Sequence, residues 1–209
     1  MLLNEFYKPK INNSIETAAT KYLQSKKRDY DGGDAYKNLM QAMSKMGWIY
    51  LDSGAFSKVF VHPKKKYVIK INSTTDNAYR RYVYVIHKFR SPHFPKISDL
   101  KEIEIKGDEY YVYLIEKLQK ITVPLILELS KNLKQIAGKP NSTLKNIYYN
   151  DYYDAQEEIP EFILQNPSLV TAARIIGRSV AAGDWIDLNT GNIMKREDGT
   201  IVITDPYAG

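Results

Sequence analysis

Three oxygen-bearing side chains in the last part of this 209-residue sequence are spaced for joint chemistry: Asp187, Asn192 five positions later, and Asp205 thirteen after that. A carboxylate can accept a hydroxyl proton, an amide carbonyl can ligate a hard cation, and a second carboxylate can bridge that cation to phosphate oxygens. The set therefore suits Mg²⁺ and a polyphosphate. An Asp-x₄-Asn spacing by itself is common. Here it is followed by a hairpin-like run, 195–204, that turns at Asp198-Gly199 and delivers Asp205.

Two upstream features fit the same chemistry. In the stretch 51–60, the small and polar residues Gly54 and Ser57 flank Phe56, while Leu51 and Val59 stand on either side. Such a loop lets backbone N–H groups approach phosphates, and the apolar pair can sandwich a planar base; an ordinary hairpin turn explains the glycine equally well. Eleven residues past Val59, Lys70 lies inside the apolar run Val68-Ile69-Lys70-Ile71. It is either an inward phosphate ligand or an edge residue. An inward ammonium needs an anion to offset its desolvation, and a phosphate supplies one.

Periodicity predicts the elements that must position these groups. A helix is expected at 13–28, opened by Asn13 and Glu16 as a capping box, and a second at 34–46 with Met43 on its apolar stripe and Gly47 at its end. Strands are expected at 48–51, 59–61 and 67–71, a helix at 76–89, and two further strands at 97–105 and 110–118. Beyond Lys120 the pattern is helical, over 123–137, a polar Tyr-rich stretch at 143–158, and 168–182. The fold class is α+β. The expected divisions are a helical extension at 1–47, a sheet-based lobe at 48–118 and a mainly helical lobe at 119–209.

Composition narrows the functional classes. With no cysteine and three histidines, disulfides, thiolate nucleophiles and Cys- or His-based metal centres are excluded or disfavoured. No apolar run approaches the roughly 20 residues of a membrane span, and residues 1–10 lack the apolar core of a signal peptide. A cytoplasmic protein without a membrane partner is expected. The net charge of +6 permits acidic partners, yet the lysines are dispersed and the tyrosine pairs at 148–149 and 152–153 lack a basic-aromatic alternation, so nucleic-acid binding is not required.

With these residues in order, the stretch from Trp48 onward resembles the protein-kinase-like superfamily. The segment 51–60 resembles the glycine-rich loop, Lys70 the β3 lysine, Ile115-Glu116-Lys117-Leu118 the gatekeeper and hinge, Trp185-Ile186-Asp187 the catalytic-loop triplet, Asn192 its metal-binding asparagine, and Asp205-Pro206-Tyr207 the Asp-Phe-Gly element. Within that superfamily, Gly54-Ala-Phe-Ser57, His62-Pro63, Val68-Ile-Lys70, Gly191-Asn-Ile-Met194 and Ile203-Thr-Asp-Pro206 are similar to the early serine/threonine kinases of T7-like bacteriophages. The resemblance implies a minimal two-lobed kinase-like fold, with a five-stranded antiparallel sheet and one helix in the first lobe and a shortened helical second lobe.

For function, the resemblance implies ATP and Mg²⁺ as cofactors and Ser/Thr phosphorylation of host bacterial proteins of transcription or RNA processing, in the host cytoplasm. Asp187, Lys70 and Asn192 would be catalytic and Asn192 and Asp205 metal-binding. Leu51, Gly54, Phe56, Ser57, Val59, Lys70 and backbone groups at Glu116 and Leu118 would bind nucleotide. Autophosphorylation, including at Ser57, is a further expectation. Three departures accompany it: helix 76–89 has no glutamate, the position that would pair with Lys70 falling near Tyr82; only four residues follow Asp205; and Asn189 replaces the lysine usual two residues after the catalytic Asp. Lys70 would then be held by Asp205, by Asp76 or by phosphate alone. A kinase-fold binding protein that inhibits a host protein without phosphoryl transfer, and a small-molecule kinase, are the competing readings.

Overall fold

The structure, a computed structural model, describes residues 41, 43–53, 57–73, 76–98, 101–105, 108–150, 155–156 and 158–208. The helix expected at 13–28 and most of that at 34–46 lie outside these residues. The described chain is mixed α/β and divides into two compact units, one comprising residues up to 76 together with 96–117, the other 77–95 with 118–209.

The described part of the first unit opens with the end of a helix, where Met43 is buried and Gly47 takes φ +79°. The Gly47 N–H bonds the Ser44 carbonyl and the Trp48 N–H the Met43 carbonyl, a glycine-closed helix stop. The left-handed turn favours glycine, and a Cβ on Gly47 would fall 2.7 Å from Nε2 of His62, whose ring would have to move. Five antiparallel strands follow, β1 Ile49–Ser53, β2 Ser57–Val61, β3 Tyr67–Ser73, β4 Lys101–Ile105 and β5 Asp108–Glu116, in the order β1-β2-β3-β5-β4. The strand expected at 97–105 is interrupted: Ile97 makes an isolated bridge to Ile115, and pairing resumes at Lys101.

Opposed residues of a ladder share a face, and the register gives this sheet two unlike ones. Phe60, Ile69, Leu114, Ile71 and Val112 stack on one face and are buried. The other carries Val59, Lys70 and Tyr113 in one row and Ser57, Asn72 and Tyr111 in the next.

The second unit contains α1 Asn77–Lys88, α2 Val123–Gly138, α3 Leu144–Tyr148, α4 Glu161–Leu164 and α5 Pro167–Ser179, with short strand pairs. Ile126, Leu129, Leu133 and Ile136 recur at helical spacing on α2 and are buried, as are Leu169, Ala172, Ala173 and Ile176 on α5. The two helices approach so closely that a Cβ on Gly177 would lie 2.0 Å from the Ala137 carbonyl oxygen. α5 starts at Pro167 because Asn166 accepts the Leu169 N–H and proline fits the first helical turn.

Two expectations are corrected here. The Tyr-rich stretch at 143–158 is not helical throughout: after α3 it pairs as β6 Tyr149–Asn150 with β7 Ala155–Gln156. Tyr and Asn rank low among helix formers, so Tyr149 and Asn150 do little to prolong α3. α5 also ends at Ser179, not 182, since Val180 is extended (φ −65°, ψ 131°). Among the described residues no helix is long and apolar enough to cross a membrane.

Candidate active site

The residues singled out by sequence fall into two groups, one in each unit. In the first unit, Lys70 sits on the central strand β3 with only 6% of its surface exposed, so it is not an edge residue. Its cross-strand neighbours are Val59 and Tyr113. Two residues on, Asn72 is 1% exposed and its Nδ2 donates to Oδ2 of Asp76 at 2.8 Å. Its Oδ1 is buried without a hydrogen-bond partner, an acceptor for which a polar ligand or ordered water is the usual explanation.

The remaining expected nucleotide contacts of this unit are unequal. Leu51 lies at a β-bulge between Tyr50 and Asp52, opposite Val59, and it is 54% exposed. Ser57 is buried beside Asn72 in the ladder. Gly54 and Phe56 lie outside the described residues. The Glu116 N–H donates to the Lys96 carbonyl at 2.9 Å, and the Glu116 carboxylate accepts the Lys96 N–H at 2.8 Å. That amide is therefore committed within the unit, as is the Lys117 N–H to Lys66; Leu118, in the second unit, follows them.

In the second unit the three oxygen-bearing residues are brought together by backbone pairing that the sequence only partly announced. β9 Ile193–Lys195 and β10 Ile201–Ile203 form the expected hairpin, closed by Gly199 at φ +87°. The Thr204 N–H then bonds the Asn192 carbonyl at 2.9 Å, which puts Asp205 one residue from the point where the ladder leaves Asn192. A second ladder, β8 Trp185–Ile186 with β11 Tyr207–Ala208, continues into a 2.7 Å bond from the Asp187 N–H to the Pro206 carbonyl. Asp187 and Asn192 are thus each tied by main chain to a neighbour of Asp205.

Side chains refine this frame. The Asn192 Nδ2 donates to the Asp187 carbonyl at 2.7 Å and to its Oδ2 at 3.2 Å, so the donor end of the amide is engaged with Asp187. The Asn189 Nδ2 lies 3.0 Å from Oδ1 and 2.9 Å from Oδ2 of Asp187. Leu188 is fully buried between them, and Ser130 on α2 donates to its carbonyl. The loop is pinned on both sides of Asp187. An amide oxygen from Asn192 and the Asp205 carboxylate are hard donors of the kind Mg²⁺ takes alongside phosphate and water. Among the described residues no group of three or more carboxylate or imidazole side chains gathers to hold a metal without such a substrate.

β10 is braced from outside. The Tyr82 hydroxyl of α1 donates to the Ile203 carbonyl, and its ring meets those of Phe94 and Tyr207 edge-on. Tyr82, where a lysine-pairing glutamate was sought, is instead a buried clamp on the strand leading to Asp205. His93 accepts the Ile203 N–H through its carbonyl, and its Nδ1 donates to the Ile201 carbonyl at 2.7 Å. Burial pushes the His93 imidazole below its ordinary value, and burial also drives the Tyr207 hydroxyl, which donates to the Ile176 carbonyl, up to about 12. Arg81 of α1 pairs with Asp184 just before β8. Tyr82, His93 and Ser130 were not legible as site-supporting residues, because nothing in their local pattern reveals a carbonyl partner many residues away.

Comparison with the curated proteins finds no match. A scan against protein families, however, aligns residues 10–208 with the family described as bacteriophage T7 protein kinase 0.7, a match that includes every candidate site residue. The chain that stitches Asp187, Asn192 and Asp205 together in this way belongs to the bacteriophage T7 protein kinase family.

Proposed function

We propose that this protein is an ATP- and Mg²⁺-dependent serine/threonine kinase acting on host bacterial proteins, in the host cytoplasm, and that its units correspond to the sheet lobe and helical lobe of a minimal kinase-like fold. The observation that carries the reading is the main-chain stitching of Asp187, Asn192 and Asp205, since a scaffold has no chemical need to hold a base and two hard ligands in one place. Asp187 takes the proton of the substrate hydroxyl as its oxygen bonds the γ-phosphorus and the bond to the β–γ bridging oxygen breaks, releasing ADP. Lys70 offsets phosphate charge. Asn192 Oδ1 and the Asp205 carboxylate would hold the cation, which supplies neutralisation of the phosphate oxygens. Leu51 and Val59 would pack on the base.

Replacing Asp187 by Ala should abolish transfer of labelled γ-phosphate to bacterial lysate proteins while nucleotide binding persists, because general-base help contributes about 10²–10⁴ in rate. Undiminished labelling by the variant would refute the assignment. A second reading, a kinase-fold protein that inhibits a host protein without phosphoryl transfer, is favoured by one observation: helix 76–89 has no glutamate, and Tyr82, near which the lysine-pairing position is expected, is bonded to Ile203 instead. Wild-type protein that labels nothing and whose melting temperature ignores MgATP would establish that alternative. Autophosphorylation is read from intact mass; with Ser57 only 9% exposed, exposed hydroxyls are the expected acceptors.

A further inference from the structure

We propose that Asn189 is the positioning residue for Asp187, fixing its carboxylate so that Oδ1 is the atom that takes the substrate proton. The inference rests on the kinase reading above. It begins with hydrogen-bond arithmetic. A carboxylate offers about four acceptor sites, two on each oxygen. Oδ2 of Asp187 receives the Asn189 amide at 2.9 Å and the Asn192 amide at 3.2 Å, while Oδ1 receives Asn189 alone at 3.0 Å. The remaining capacity lies on Oδ1.

Asn189 is itself fixed for this task. Its own Oδ1 accepts the Gly191 N–H at 2.7 Å, and its carbonyl accepts the Asn192 N–H at 3.0 Å. The amide therefore cannot rotate without losing the Gly191 bond, and its NH₂ end is directed at Asp187. Gly191 contributes by lacking a side chain: a Cβ there would sit 3.1 Å from Asn189 Oδ1. The same loop then carries two amides with different work. Asn192 holds the Asp187 main chain and one oxygen, and Asn189 sets the rotation of the carboxylate about its own axis. A neutral amide does this without placing a cation beside the transferring phosphate, which distinguishes it from a lysine at the same position.

The test compares wild type with Asn189→Ala, Asn189→Asp, Asn189→Lys and Gly191→Ala, using a bacterial lysate as acceptor and measuring both the initial rate of γ-phosphate transfer at saturating ATP and the ATP concentration for half-saturation. A carboxylate misplaced by about 1 Å can cost about a hundredfold in rate. Asn189→Ala should lose about 10- to 100-fold in rate with half-saturation unchanged. Asn189→Asp, the same size but with the donor replaced by a repelling oxygen, should lose more. Asn189→Lys, which restores a donor, should recover most of the rate, and Gly191→Ala should show a smaller loss than Asn189→Ala. Asn189 is exposed, so melting temperatures should stay close to wild type; should the Ala variant melt early, the isosteric Asp variant carries the comparison. Full rates in Asn189→Ala and Asn189→Asp, alongside an inactive Asp187→Ala, would overturn the inference and leave the kinase reading standing. A matching rise in half-saturating ATP would overturn it too, because that marks a binding role. A wild type without transfer removes both.

Discussion

His93 joins β10 to the rest of its unit through an imidazole whose protonation burial disfavours. Its Nδ1 donates to Ile201, Ser168 Oγ lies 2.9 Å from its Nε2, and burial, then the positive charge of Arg196 nearby, disfavour protonation. The unfolded chain takes up a proton at the ordinary value of 6.5, whereas the native chain resists it. The unfolded state therefore binds more protons below that pH, and stability must fall as pH drops below it and be fully present above. Denaturation midpoints measured at pH 7.5 and 5.5 should decline with acid, and less steeply in His93→Gln. Tyr82 offers a second test at this scale. Tyr82→Phe leaves the ring contacts but strands a buried Ile203 carbonyl, and should cost about 1–3 kcal/mol in unfolding free energy. What was legible among single residues was type and spacing: Asp187, Asn192 and Asp205 stood out because chemistry restricts which residues can serve. Asn72, Asn189 and Tyr82 did not, because their roles are defined by partners that only folding supplies.

Elements with a strong period were legible and those without one were not. β2, β3, β5, α1 and α2 each place apolar residues at the spacing their geometry demands, and the structure has them where that spacing predicts. β8 and β11 are two residues each and pair across about twenty positions of sequence, too short to show a period, yet they hold Asp187 to Pro206. α1 joins the second unit through Tyr82, Phe94 and Tyr207, a partnership of aromatic faces that its own amphipathic pattern does not specify. The α2–α5 contact depends on Gly177, which in sequence reads only as a weak spot in a helix. Gly177→Ala should push the helices apart at Ala137 and cost about 3 kcal/mol, measured by urea denaturation. Because Ser130 of α2 holds the loop at Leu188, the same variant should also lower phosphoryl transfer.

For the molecule as a whole, the proposed nucleotide binding would be linked to stability. A ligand that binds only the native chain raises its unfolding free energy by about 2.7 kcal/mol at a hundredfold excess over Kd. MgATP should therefore raise the melting temperature of wild type and of Asp187→Ala alike, and raise it less in Lys70→Ala; an equal rise in Lys70→Ala would remove that residue from the nucleotide site. With no cysteine in the sequence, reducing agents should leave both activity and melting unchanged.

Antiparallel pairing of β9 with β10 also decides how this site can vary. Ile193 faces Ile203, and the Asn192 carbonyl takes the Thr204 N–H, so the gap between the two proposed cation ligands is measured across the ladder and not along the chain. Residues 197–199 merely close the loop. A longer turn there would change the count between Asn192 and Asp205 and leave their separation alone, whereas one residue inserted within either strand would swing a ligand to the opposite side of the hairpin. Kindred chains are thus better sought by a pairing pattern with an elastic turn than by a fixed interval, and the turn itself is a place where a tag or a probe can be grafted without disturbing the chemistry.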